Sequence, residues 1–213
     1  MTLIDNRDTN NPYINLAIEE FAVRHFNCEH DDFLFLYINE PCIVLGKNQS
    51  IYKEINFDYL RNNKLKLCRR ISGGGTVYED EGNLNFAFIS KFEEHKVNNY
   101  NWFNQPVVDA LKKLGVNAET DTRNNILCNG KKISGNAQFT NRKNIISHGT
   151  LLFNANLNEL RNSLRENDFK VETKAVSSVR SSVMNMIEAT DKISSAVELK
   201  DYLVAVLKID KVY

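Results

Sequence analysis

The chain has 213 residues, 42% hydrophobic and 25% charged, with 27 Lys+Arg balanced by 27 Asp+Glu. That length suits one domain, or one domain with a small appendage, and the zero net charge provides no broad field toward nucleic acid or anionic membrane, so any anion site must be local. No apolar run reaches the length of a membrane span, the charged N-terminal stretch lacks a signal-peptide core, and Cys28, Cys42, Cys68 and Cys128 form no CxxC or Cys/His cluster, which argues against a disulfide framework or a zinc site and fits a reducing cytoplasm.

The first element is a helix over about Pro12–Phe26. Ile14, Ala17, Ile18, Phe21, Ala22 and His25 follow helical spacing, with Glu19, Glu20 and Arg24 turned away. Phe33–Ile38 and Cys42–Leu45 flank the turn signal Asn39-Glu40-Pro41 and read as a strand pair. A loop at Gly46–Gln49 and a short helix over Asn56–Asn63 follow. Leu65–Ile71 reads as a strand running into Ser72-Gly73-Gly74-Gly75, and Thr76–Tyr78 and Asn83–Ile89 as strands around Asp80-Glu81-Gly82. Trp102–Leu114 is an amphipathic helix with Phe103, Val107, Val108, Leu111 and Leu114 on one face. Gly115 stops it, and Pro106 sits near its first turn. Asn129-Gly130 predicts a hairpin between Ile126–Cys128 and Lys132–Phe139; Ile145–Phe153 follows as a strand and Ser194–Leu207 as a helix. The strands come in hairpins, so the fold class is α+β with a mixed, largely antiparallel sheet wrapped by helices. Asparagine is abundant throughout, which reads as compositional bias.

Three stretches can carry chemistry. In Arg69-Arg70-Ile71-Ser72-Gly73-Gly74-Gly75-Thr76-Val77, consecutive glycines let backbone approach a ligand and turn N–H groups toward an anion, and the arginines offer bidentate forks for phosphate or carboxylate. The stretch is neither a Walker A loop nor GxGxxG, and it equally suits a plain turn with surface arginines. In Gly130-Lys131-Lys132-Ile133-Ser134-Gly135-Asn136-Ala137, strand alternation sends the two lysines to opposite faces, so one can neutralise charge at a phosphate site; a pair of solvated lysines is the plainer alternative. Ser147-His148-Gly149-Thr150 puts a histidine beside a glycine on a strand, and a core histidine reads equally well. GxSxG and HExxH are absent.

Taken together, RRISGGGTVYEDEGN, KKISGNAQ and SHGTLL, with RNNIL before the hairpin, SVRSSV (Ser178–Val183), NLAIEE (Asn15–Glu20) and the Gly46–Gln49 loop, resemble lipoate–protein ligases from about residue 1 to 190. The resemblance implies the catalytic-domain fold of the biotinyl/lipoyl protein ligase group, distantly similar to class II aminoacyl-tRNA synthetase cores. It implies ATP-dependent activation of lipoate (or octanoate) as lipoyl-AMP and transfer to a lysine of a lipoyl domain of a 2-oxoacid dehydrogenase or of a glycine-cleavage H protein. On this resemblance Lys132 is the catalytic lysine, contacting the acyl carboxyl and the α-phosphate, and Arg70 contacts nucleotide. Gly73, Gly74, Gly75, Thr76, Val77 and Tyr78 line nucleotide and acyl chain, and Asn83, Asn124, Asn125, His148, Gly149 and Thr150 lie at or near the adenylate. A slot for the lipoyl tail is expected among Leu36, Ile38, Val44, Val77 and Phe86, each of which also fits a core position.

The chain departs from the family pattern in two places. Glu79-Asp80 stands where His-Asp is common, and Arg123-Asn124-Asn125 where Arg-Asn-Asp is common, so the expected Mg²⁺ contact near Asn125 meets an amide. Family members commonly continue into a small C-terminal domain; the expectation here is a catalytic domain over residues 1–213, with an accessory domain absent or supplied by a separate partner. The competing reading is an octanoyl or lipoyl transferase that takes a carrier thioester without ATP through a cysteine nucleophile. Cys128 lies near the site in sequence, but RNNIL occupies the segment where that cysteine would stand. A catalytically silent binding module is a further alternative.

Overall fold

In the computed structural model, which describes residues 1–164, 181–209 and 211–213, those residues form twelve strands and six α-helices. The apolar runs at Phe33–Ile38 (β2) and Asn83–Lys91 (β6) pair antiparallel at the centre of a six-stranded sheet, where both faces are covered. Its order is β10-β11-β6-β2-β1-β12, with β1 spanning Thr2–Ile4, β10 Asn136–Thr140, β11 Asn144–Leu152 and β12 Lys211–Val212. The β10, β11, β6 and β2 neighbours run antiparallel; β1 pairs parallel with both β2 and β12. Two three-stranded sheets accompany it. In one, β3 (Cys42–Leu45) lies between parallel β4 (Lys66–Arg69) and antiparallel β5 (Val77–Glu79). In the other, β7 (Ala118–Thr120), β8 (Ile126–Cys128) and β9 (Lys131–Ser134) form an antiparallel meander.

Strand alternation divides the core. Leu34, Leu36, Leu84 and Phe86 face the helices α4 (Tyr100–Lys113) and α6 (Ala196–Val206), packing against Phe103, Val107, Leu111, Leu199 and Leu203. Phe33, Phe35, Ala87 and Ile89 face Ala22 and Val23 of α1 (Pro12–His25). Each fully buried Leu or Phe contributes roughly 1.5–3 kcal/mol of transfer free energy. Two further helices, α2 (Ile51–Glu54) and α3 (Phe57–Asn62), cover the β3 sheet together with α5 (Leu157–Ser163).

The expected helices form, with two differences. Asn99 caps α4 by accepting from Trp102 N at 3.3 Å, so the helix starts earlier and Pro106 falls in its second turn, leaving the Trp102 carbonyl without a helical partner. The buried side of α1 is not the apolar one. Ile14 and Phe21 are exposed, whereas Asn15 and Glu19 are buried beside Ala22 and Val23.

The hairpin across Asn129-Gly130 is present, with φ of 50° and 75° at its two residues as a primed turn requires. The next step of the expected meander also forms, as β10 pairs antiparallel with β11, but two other expected pairings do not. Asn39-Glu40-Pro41 carries the chain from β2 in the large sheet to β3 in a small one, and Asp80-Glu81-Gly82 carries it from β5 back to β6. The run Lys132–Phe139 breaks at Gly135 into β9 and β10, again in different sheets. A cleft opens at these crossings, because strands that part into separate sheets no longer hydrogen-bond along that line.

Candidate functional site

The cleft has a volume of about 320 Å³, within the usual range for small-molecule sites. The register of the large sheet builds its floor. Tyr37, Asn85 and Thr150 lie side by side in one cross-strand row, and Ala87 and His148 in the next. The glycine loop after β4 and the β9–β10 crossing form its walls.

At its outer end two cations meet. Arg70 is buried and commits most of its donors to the loop it belongs to. Nη2 donates to the carbonyls of Gly73 and Gly75, both at 2.7 Å, Nη1 to Val44 O, and Nε to Ser72 Oγ and Gly73 O. The guanidinium therefore shapes the glycine loop first. Burial lowers its pKa from the ordinary value. Gly74 is required there: its φ is +89°, and a Cβ would stand 2.8 Å from Arg70 Nη2. Lys132 lines the same cleft while Lys131 is exposed. Gly135 makes room for it, since a Cβ at 135 would fall 2.9 Å from Lys132 Nζ. Burial lowers the Lys132 pKa, Asp121 opposes that shift, and the positive charge of Arg70 adds to it, so the two cations act on each other across the cleft. Asp121 is held in turn by Asn125: the backbone N–H and the side-chain Nδ2 of Asn125 each donate to it at 2.8 Å. The Lys132 backbone pairs with the chain near Val183, through Lys132 N to Ser182 O at 2.9 Å. Of the SVRSSV segment, residues 178–180 lie outside the described residues.

The inner end is polar and enclosed. Arg70 Nε donates to Ser72 Oγ, Ser72 Oγ shares a hydrogen bond with His148 Nε2 at 2.6 Å, and His148 Nδ1 pairs with Glu19 Oε2 at 2.7 Å. The Tyr37 hydroxyl donates to the other oxygen of Glu19 at 3.0 Å. Beside this relay runs a chain of buried amides: Asn6 donates to Asn15, Asn15 to Asn39, and Asn39 to Glu79 Oε2 at 2.6 Å; from the other side Asn83 donates to Asn85, and Asn85 to the same Oε2 at 2.9 Å. Asn6 and Asn15 also donate to Thr9 O, an acceptor only, which fixes the direction of the amides. Burial raises the Glu79 pKa, against the lowering effect of the two amide bonds. The abundant asparagine, read above as bias, is here a structural device.

The sequence-derived residues distribute unevenly around the cleft. Arg70, Gly74, Gly75, Thr76, Val77, Asn125, Lys132, His148, Gly149 and Thr150 all line it. Gly73 contributes its carbonyl to Arg70. Tyr78 alternates to the far side of β5 and packs with Ile43, Leu45 and Ile55. Asn83 is wholly buried in the amide chain, and Asn124, at φ 64°, offers its carbonyl to Asn136. Of the expected slot residues, Val44 and Val77 line the cleft, while Leu36 and Phe86 belong to the core under α4 and Ile38 packs against it. Sequence reasoning passed over Glu19, Tyr37, Glu79 and Asn85 as cleft residues. The spacing of Asn15, Glu19, Ala22 and Val23 on α1 was the available signal for one of them. Cys128 is fully buried and away from the cleft, and burial raises its thiol pKa. Among the described residues no group of three His, Cys, Asp or Glu side chains is placed to hold a metal ion, and no helix is long and apolar enough to cross a membrane.

The chain is 45% identical over 203 residues to the lipoate-protein ligase LplJ of Bacillus subtilis, covering 95% of this chain and 61% of that protein. It thus spans about three fifths of the length of that relative. Among solved structures it is similar to a bi-partite lipoate protein ligase from Thermoplasma acidophilum, studied with its E2 lipoyl domain, at a TM-score of 0.83 and 26% identity over 99% of this chain and 84% of that one. It is likewise similar to a lipoate-protein ligase A bound with ATP, at a TM-score of 0.81 and 25% identity over 99% of this chain and 86% of that one. The family described as "Lipoyl protein ligase A/B catalytic domain" matches residues 11–208, and with the cleft described above this chain belongs to that family.

Proposed function

We propose that this chain catalyses ATP-dependent activation of lipoate and transfer of the lipoyl group to a lysine of an acceptor protein. The observation that carries the reading is the convergence of Arg70 and Lys132 at the outer end of one cleft whose wall continues inward over Val44, Val77 and Ala137. A carboxylate is a poor acyl donor because its oxygen leaves badly. In the first step the lipoate carboxylate attacks the α-phosphorus of ATP, the bond to the bridging oxygen breaks, and pyrophosphate leaves. The attack brings two anions together, and Lys132 is the group positioned to offset that charge. Arg70 holds the glycine loop in place on the phosphate side of the cleft through the carbonyls of Gly73 and Gly75. In the second step the acceptor amine attacks the acyl carbon, AMP leaves, and the amine loses its proton. Between the two steps the mixed anhydride must be kept from water.

Magnesium fits this chain weakly. Asp121 and the Asn125 side chain are the oxygen donors on the Lys132 side, and Asp121 already accepts N–H bonds from Asn125 and Arg123. A magnesium ion bound there would add charge to the phosphates, whose own oxygens would supply most of its ligation. The acceptor in this proposal is a lipoyl domain or a glycine-cleavage H protein. Residues 1–213 act in this proposal as the catalytic domain, completed by an accessory domain or a separate subunit. The thioester-transferase alternative has no support from Cys128, which the core encloses. Pyrophosphate release with ATP and lipoate tests the proposal: release that Lys132→Ala slows by orders of magnitude is expected, and activity only with an acyl-carrier thioester would sink it.

A further inference from the structure

Glu79 is 4% exposed, yet it is part of the cleft lining, on the stretch that also presents Tyr37, Val44 and Val77. Both amide bonds it receives, from Asn39 and Asn85, fall on the single oxygen Oε2. No described residue bonds Oε1, and Oε1 is not among the fully enclosed polar atoms that lack a partner, which leaves it on the cavity side. The amide chain runs one way, anchored at Thr9 O, so Asn39 presents N–H rather than C=O to Glu79. With the lone pairs of Oε2 engaged, a proton on this carboxyl would have one position left, on Oε1. An O–H so placed, in a wall that is otherwise partly apolar, needs an acceptor from whatever fills the cleft.

We propose that Glu79 is a specificity-determining residue of the acyl slot, donating a hydrogen bond from Oε1 to a heteroatom carried by the acyl chain, so that the site takes a sulfur-bearing acid in preference to an unsubstituted fatty acid of similar length. The proposal rests on the reading of the cleft as an acyl site. Burial, which raises the Glu79 pKa, agrees with a protonated carboxyl there. An unsubstituted alkyl chain in the same place would leave the donor without a partner, which disfavours it.

The test is calorimetric titration of lipoate and of octanoate into the wild-type chain and into the Glu79→Gln and Glu79→Leu variants. Tighter binding of lipoate than of octanoate is expected in the wild type. Glu79→Gln keeps the preference, because its amide still carries a donor, and Glu79→Leu lowers the lipoate-to-octanoate affinity ratio by about three- to ten-fold, the usual net worth of one hydrogen bond. A leucine variant that keeps the wild-type ratio overturns the proposal, as does a glutamine variant that loses the preference as fully as leucine does. If the wild type binds neither acid, the reading of the cleft as an acyl site fails and takes this proposal with it. Should the leucine variant not fold, the wild type decides alone: its preference must decline as pH rises and the Oε1 proton is lost. The other titratable and charged groups whose charge bears on Glu79 there are Glu19, Tyr37, Arg70, Cys42 and Cys68, and burial raises the Tyr37, Cys42 and Cys68 pKa values, so those three stay neutral. A preference constant with pH overturns the proposal.

Discussion

The outer and inner ends of the cleft hold polar groups in opposite ways. At the outer end Lys132 is partly buried, its pKa lowered by burial and by Arg70 and raised by Asp121, and it has no side-chain hydrogen-bond partner among the described residues. At the inner end Glu19, Glu79, Asn15, Asn39 and Asn85 are almost completely enclosed and held by side-chain hydrogen bonds, with Glu79 Oε1 and Asn83 Oδ1 left over. An unsatisfied buried group costs about 1–3 kcal/mol, so most of the inner end must be paired within the protein to fold, whereas Lys132 at the outer end is free to wait for a ligand. The difference predicts that substitutions outside change rates and leave stability alone, and that substitutions inside change stability and specificity together.

The largest expected effect is at Lys132. Lys132→Ala should slow pyrophosphate release by roughly 10²–10³-fold, in line with removal of one preorganised donor, with the urea midpoint close to wild type. A large loss of stability in that variant would break the contrast. Glu19→Ala should cost about 3 kcal/mol in urea unfolding, because it strands the Tyr37 hydroxyl and His148 Nδ1. Little change there would mean that the relay adds nothing to folding.

The glycine loop joins the two ends and sharpens the comparison. Gly74→Ala meets both a positive φ and Arg70, and should cost about 1–2 kcal/mol. Gly73→Ala meets no atom within 4 Å and should be nearly neutral in the same denaturation series. The smallest effects are on pH dependence. The Glu79 pKa is raised in the folded state, so its contribution is fully present below the unfolded pKa and is lost as pH rises through the folded one. Glu79→Gln should therefore flatten the decline of stability on the alkaline side, seen as a smaller difference between thermal midpoints at acidic and neutral pH. Asp121 raises the Lys132 pKa, so Asp121→Asn should move the alkaline limb of the pyrophosphate-release profile to lower pH.

Most secondary structure was legible because it depends on local spacing. The 14-residue helix α4 buries the apolar stripe its sequence displays. Helix α1, of the same length, does not, because its inward face supplies Asn15 and Glu19 to a polar site, and helical spacing of apolar residues carries no information about that. The outer end was readable for a similar reason: Arg70 to Val77 and Lys132 to Gly135 are short contiguous stretches whose residue types suit anion binding.

The amino-acid sequence by itself determined the order and kind of most elements, the glycine loop with its arginine, and the lysine that faces it. Tertiary structure alone decided that β2 and β3, β5 and β6, and β9 and β10 part into separate sheets, and therefore where the cleft opens. It also decided that residues as distant in the chain as Asn6, Asn39, Glu79 and Asn85 share one buried network. The physical reason is that strand partnership and the pairing of buried amides are fixed by contacts between distant segments, which local periodicity does not encode.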